Sequence, residues 1–295
     1  MTRILEPLAV GLLWLLSAVP LLALRRTGVL VGRLLARFDS EMCRVAAINV
    51  KLCFPDLTPT QQRDLLTASI VQSATLAAEL PFVWSARWSE RWRASIKEIE
   101  GEHLVRDQTD DRRGRLILVP HIGNWELLSL YLADLSVVAP FTPPRSALAN
   151  RMLLALRTVR GTKMVPVGVS GVRTLYRALR AGSTVALLPD QVPERSAGTY
   201  ALLFGRPALT MTLAARLARQ TRAEVILGAC LRCEGGFRLE FRPLLGFPSS
   251  EGDASNALLL NRAIEEMVRR FPDQYQWTYK RFKRPPEGLA DVYGR

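Results

Sequence analysis

The chain contains two histidines, and the surroundings of one of them, His121, suit catalysis. An apolar run, Leu116–Val119, ends at Pro120; His121 follows at once, then Gly123 and Asn124, then an apolar helical pattern carrying Glu126. This reads as a buried strand, a tight turn bearing an imidazole, and a helix with a carboxylate in its first turn. Open α/β sheets place their reactive groups at such strand ends. On one continuous helix His121 and Glu126 would lie about 140° apart, so a shared site needs the turn, and Gly123 permits a tight one. His121 is then the candidate general base, and Glu126 the carboxylate that orients it by accepting from one ring nitrogen. The early backbone N–H groups of the helix, around Gly123 to Trp125, are suited to steady a developing oxyanion. The bland alternative is a polar turn residue followed by a carboxylate that the helix dipole favours.

A second constellation follows Leu187-Leu188-Pro189: Asp190, Gln191, Arg195 and Gly198. Again a buried strand ends in proline and a polar loop. Parallel strands would bring this loop to the edge that carries His121, and converging loops make a pocket. The chain has no phosphate-binding glycine loop and no H-E-x-x-H, and Gly168-Val169-Ser170-Gly171 lacks the spacing of a nucleophile elbow. With no activated Ser or Cys in view, the base is left to deprotonate a hydroxyl of the substrate. Cys230 and Cys233 form a single C-x-x-C within a strand-like context, without the further ligands a zinc site needs, so no metal or cofactor is expected. His103, beside Glu102, reads as a solvated surface residue.

These groups need a scaffold, and the patterning supplies one. From Gly28 to about Trp92 the apolar spacing is helical, with Thr58-Pro59 as an N-cap and first-turn proline. Beyond it, strands at Glu98–Gln108 (with its turn), Leu116–Val119, Ser136–Phe141, Lys163–Val167 and Val185–Leu188 alternate with helices at Glu126–Leu132, Ala149–Arg157 and Gly171–Arg180. A long loop at Pro189–Phe204, a helix at Leu209–Arg219, strands at Glu224–Cys230 and Phe237–Arg242, and a helix at Ala257–Phe271 complete the chain. The expectation is an α/β fold with a mostly parallel central sheet flanked by helices and an edge hairpin closing it. The chain divides into an N-terminal membrane anchor (1–26), a helical region (27–97) and an α/β core with a basic tail (98–295).

The anchor is the uncharged run Pro7–Leu24, near the lower length limit for a membrane span. The arginines after it outnumber Arg3 before it, which puts the body on the cytoplasmic side. No second apolar stretch is long enough to span. The net charge of +13 across 295 residues is carried mostly by arginine and favours anionic partners. No nucleic-acid-binding pattern accompanies it.

Several blocks together resemble the bacterial lipid A biosynthesis acyltransferases, the late lauroyl- and myristoyl-type enzymes of the lysophospholipid and glycerol-3-phosphate acyltransferase superfamily. They are Asn49 to Phe54-Pro55, His121-Ile-Gly-Asn-Trp-Glu126, Leu188-Pro-Asp-Gln-Val-Pro-Glu-Arg195, Leu203-Phe-Gly-Arg-Pro, Gln274-Tyr-Gln-Trp277 and Arg281-Phe-Lys283. The resemblance implies transfer of a fatty acyl chain from acyl carrier protein, or acyl-CoA, to a hydroxyl of a Kdo-bearing lipid A precursor at the bacterial inner membrane. His121 would be the base and Glu126 its orienting acid. Asp190 and Arg195 would contact the substrate headgroup or a phosphate, and Arg145 and Arg151 an anion. An acidic carrier, lipid A phosphates and an anionic inner leaflet all suit an arginine-rich surface. Acylation of another glycolipid or aminolipid, and non-catalytic lipid binding in the same cleft, are the competing readings.

Overall fold

The computed structural model describes Gly11 and residues 15–87, 89–107, 113–144, 146–158 and 160–294. Three helices lead: α1 (Leu21–Leu35), α2 (Glu41–Cys53) and α3 (Pro59–Trp84). There follow β1 (Ile96–Glu100), β2 (Arg115–Leu118), α4 (Trp125–Ala133), β3 (Val138–Phe141), α5 (Ala147–Arg157), β4 (Lys163–Pro166), α6 (Val169–Arg180) and β5 (Thr184–Leu187). Then come β6 (Gly198–Leu203), β7 (Arg206–Met211), α7 (Leu213–Thr221), β8 (Glu224–Cys233), β9 (Gly236–Pro243) and α8 (Asp253–Arg270).

Seven strands form one sheet in the order β1-β9-β8-β2-β5-β3-β4. Strands β8, β2, β5, β3 and β4 run parallel; the β8–β9 turn reverses direction, and β1 pairs parallel to β9. Two apolar cores, one on each face, bury the alternating residues of the central strand: Leu116 and Leu118 in one, Ile117 and Val119 in the other. A strand covered on both faces reads as a continuous apolar run, as Leu116–Val119 does. The α/β class and mostly parallel sheet are therefore as expected.

Three expectations need correction. The β8–β9 hairpin does not close the sheet; β1 lies outside it, a non-local pairing that strand spacing does not encode. The segment read as a loop running into a helix contains a second hairpin, β6–β7, paired through Gly198↔Met211 to Leu203↔Arg206, which delays the start of α7 to Leu213. A further helix, α3, is long and apolar enough to cross a membrane by length and composition. It packs against α1, α2 and the body, burying Ile70, Phe82 and Val83.

The Thr58 cap is present as a reciprocal box with Gln61. Residues 7–10 and 12–14 of the N-terminal apolar run lie outside the described residues; its end, Leu21–Leu24, opens α1, which continues through residue 26 to Leu35. Gly28 and Gly32 let α1 approach the α3 backbone, since a Cβ at either position would strike Thr75 or Val71. This small-xxx-small spacing is a close-packing device of helix pairs.

Candidate active site

Strands β2 and β5 are neighbours in register, Leu118 opposite Leu187. Each is followed by one apolar residue, a proline and then a polar residue, so His121 and Asp190 emerge level at the carboxyl edge of the sheet. The Asp190 carboxylate accepts two hydrogen bonds from His121: from the backbone N–H to Oδ2 at 2.8 Å, and from Nδ1 to Oδ1 at 2.7 Å. The Nδ1–H tautomer follows, because an ionised carboxylate can only accept. This leaves Nε2 as the basic nitrogen, 3.1 Å from Nε2 of the Gln191 amide. Trp125 packs edge-on against the imidazole, with centroids 5.0 Å apart.

Asp190 is 3% exposed. Burial alone would raise its pKa; the charge of His121 and its hydrogen bonds outweigh that and hold the carboxyl below the usual value. Behind it the Tyr275 phenol is pushed well above its ordinary pKa, by burial and then by the Asp190 charge, and stays a neutral partner to the carboxylate.

The turn bearing His121 is fixed on every side. Gly123 has φ +63°, and a Cβ there would run into the Cys230 carbonyl. Its N–H donates to the Gln274 carbonyl at 3.0 Å, and the Asn124 N–H to the Cys230 carbonyl at 2.7 Å. The Gln276 N–H donates to the His121 carbonyl at 3.0 Å. Asn49, from the upstream block, holds that same C-terminal segment by donating to the Trp277 and Tyr279 carbonyls. Asn124 caps α4 by accepting from the Leu127 N–H, and its Nδ2 donates to buried Glu79 at 2.9 Å. Glu79 also receives Arg25 of α1 and Arg232 of β8, so one carboxylate joins the N-terminal helices, the sheet and the His121 turn.

Several expected roles move. Glu126 does not orient His121: it begins α4 on the far side of the turn and pairs with Arg157 of α5, whose Nε lies 3.2 Å from Oε2. Asp190 stands in the orienting position, with each carboxylate oxygen accepting a hydrogen bond from His121. Arg195 is exposed and donates to the Tyr200 hydroxyl and the Pro285 carbonyl, outside the cavity beside His121. Arg151 is exposed on α5 and likewise lines none of that cavity, and Arg145 lies outside the described residues. The Gly123 and Asn124 amides are taken up by the Gln274 and Cys230 carbonyls. His103 is exposed. Arg157 is the cationic group that the sequence did not single out; its only signal, a basic residue in a helix's last turn, is what the dipole favours anyway.

His121 opens onto a cavity of about 410 Å³ lined by Trp125, Thr142, Arg157, Gln191 and an apolar wall from α6. Thr142 carries the one hydroxyl, and no thiol occurs, among the described lining residues. A narrower apolar cavity of about 80 Å³, walled by Leu132, Val137, Ala139, Met164 and Ala186, adjoins it. Trp125, Pro140, Arg157 and Leu188 line both. Glu126 and Arg157 therefore stand where a polar reaction site meets an apolar chamber.

A family model described as bacterial lipid A biosynthesis acyltransferase matches residues 2–284. The lipid A biosynthesis lauroyltransferase of Escherichia coli is 25% identical, with 97% of this chain and 94% of that protein aligned. The palmitoleoyltransferase of the same organism is 26% identical over 96% and 92%. Among solved structures, a 1-acyl-sn-glycerophosphate acyltransferase from Thermotoga maritima aligns with 84% of this chain at 16% identity and a TM-score of 0.37. The motif blocks and the near full-length match agree: the chain belongs to the bacterial lipid A biosynthesis acyltransferases.

Proposed function

We propose that the protein transfers a fatty acyl chain directly from a thioester, carried by acyl carrier protein or coenzyme A, to a hydroxyl of a Kdo-bearing lipid A precursor, with His121 and Asp190 as the catalytic pair. One observation carries the mechanism: the Nε2 edge of His121 faces the cavity while Nδ1 is held by an ionised, buried Asp190. The acceptor hydroxyl displaces the Gln191 amide and gives its proton to Nε2 as its oxygen attacks the thioester carbonyl. The tetrahedral intermediate collapses, the C–S bond breaks, and the imidazolium returns the proton to the departing thiolate. Asp190 favours the imidazolium that forms between these steps. The first-turn amides of Trp125 and Glu126 have no acceptor within α4 and suit the oxyanion.

The apolar chamber suits the methylenes of the acyl chain next to the thioester, and the His121 cavity the acceptor. Arg157, neutralised in part by Glu126, supplies positive charge where an anionic headgroup lies against the reacting groups. The setting is the cytoplasmic face of the bacterial inner membrane, supported by the arginine-rich surface and the apolar N-terminal run. The test is acyl transfer by the purified full chain from a labelled acyl carrier protein thioester to a Kdo-bearing precursor, followed by mass. Full turnover by His121→Ala overturns the base; transfer to a different glycolipid or aminolipid alone overturns the acceptor.

A further inference from the structure

The rim of the His121 cavity carries a feature that the transfer step does not use. After β4 the chain runs Val167-Gly168-Val169 into α6, and Val172 follows. Val169 is 73% exposed, Val167 58% and Val172 37%. The core is not short of these side chains: α6 buries Gly171, Leu175 and Leu179 instead. Pro166, Val167 and Val172 line the mouth itself. A cluster of exposed aliphatic side chains beside an opening marks a contact surface.

Two further observations say what covers it. The first is charge. From Leu135 to Pro189 the sequence has no Asp or Glu but seven arginines and one lysine. Arg173 and Arg177 stand exposed on α6 without a carboxylate partner among the described residues. They follow Val169 by one and two turns, about 6 and 12 Å along the axis. An apolar tip with cations set back by these lengths matches the layering of acyl chains below anionic headgroups. The second is placement. The β4–α6 junction lies at the carboxyl edge of the sheet, as His121 does. Helix α1 reaches the same edge from the opposite flank. Its Arg25 donates to the Cys233 and Gly236 carbonyls at the β8–β9 turn, beyond Leu227, which pairs with Leu118. Its outer face exposes Leu22, Leu30 and Leu34 beside Arg26 and Arg33.

We propose that the Val167–Val172 rim inserts into the interfacial layer of an anionic bilayer, as a second membrane contact across the cavity mouth from α1. Arg173 and Arg177 engage lipid phosphates, and the mouth opens directly onto the membrane. A lipid acceptor then enters without exposing its chains to water. That last consequence rests on the proposed function; the contact surface does not.

The test uses the full chain in a Cys233→Ser background, the other three cysteines being buried. An environment-sensitive dye is placed on Val169→Cys or, as the control at the far end of α6, on Ala181→Cys. With vesicles of phosphatidylcholine and phosphatidylglycerol, the dye at 169 shifts to the blue and is quenched by a shallow lipid-borne quencher; the dye at 181 is not. A second arm removes the cations: Arg173→Gln/Arg177→Gln lowers affinity for the anionic vesicles several-fold and leaves affinity for pure phosphatidylcholine unchanged. A dye at 169 that stays water-like while the protein sediments with vesicles overturns the proposal. So does a response to an acidic acyl carrier protein in place of vesicles, or undiminished preference of the double variant for anionic lipid. A positive dye result with no acyl transfer would leave the contact standing and remove the proposed function.

Discussion

At His121 the two ring nitrogens have different neighbours, and chemistry follows from that difference. Nδ1 is committed to a buried carboxylate, and Nε2 faces an amide that a hydroxyl can replace. Asp190→Asn keeps the shape but presents an amide where an acceptor is needed, favouring the wrong tautomer. Loss of kcat by about three to four orders of magnitude is expected, the scale of the equivalent change in a serine protease triad. Glu126→Gln, which loosens Arg157 and leaves the imidazole in place, lowers kcat far less and raises KM for the acceptor. Steady-state kinetics on the two variants separates them, and equal losses in kcat would contradict the pairing seen here. Asp190 also links folding to pH. Its pKa is depressed in the folded protein and near the ordinary value of about 4 when unfolded. Its stabilisation is therefore fully present above that pH and lost as pH falls through the folded value. Urea unfolding at pH 6 and pH 3 should show the stability gap between wild type and Asp190→Asn narrowing at the lower pH.

At the scale of elements, the His121 turn is stiff because α3, β8 and the C-terminal segment all bond to it. Glu79 is the junction, fully buried and met by Arg25, Arg232 and Asn124. Removing one charge from such a cluster leaves the others desolvated without a partner, at a cost of about 3–5 kcal/mol. Glu79→Gln is expected to fall in that range by equilibrium unfolding; a change under about 0.5 kcal/mol, the scale of an ordinary surface substitution, would show the cluster to be dispensable. Gly123→Ala meets both a left-handed φ and the Cys230 carbonyl. It is expected to cost at least about 1 kcal/mol, the lower end of backbone strain, and to reduce turnover as the imidazole shifts. Unfolding and kinetics on the one variant check both.

Across the whole molecule, charge and apolar surface point the same way. A net charge of +13 beside the exposed leucines of α1 suits an interface that is both anionic and greasy. Exposed charges are screened beyond about 8 Å at physiological ionic strength. Binding of the full chain to anionic vesicles should therefore weaken as salt is raised from 50 to roughly 500 mM without vanishing, because the apolar contribution is not screened. Complete release by salt, measured by flotation, would mean that charge alone holds the protein there.

The sequence by itself determined the strand–turn–helix around His121, the alternation that makes a mostly parallel sheet, and the motif blocks of the family, and it singled out His121 as the candidate base. All are local: periodicity, a proline at a strand end and a glycine in a turn act within a few residues. The tertiary structure decided which carboxylate serves the imidazole. Glu126 is five residues away and faces another helix; Asp190, 69 residues away, stands level because β2 and β5 pair with Leu118 opposite Leu187. The repeated apolar-apolar-Pro-polar ending of the two strands held that information, but only sheet register converts it into a distance. The β6–β7 hairpin is local, its two-residue Phe204-Gly205 turn being its signal, whereas Arg157 and the junction at Glu79 were hidden for the same reason. Both depend on which elements become neighbours, and local spacing does not carry that.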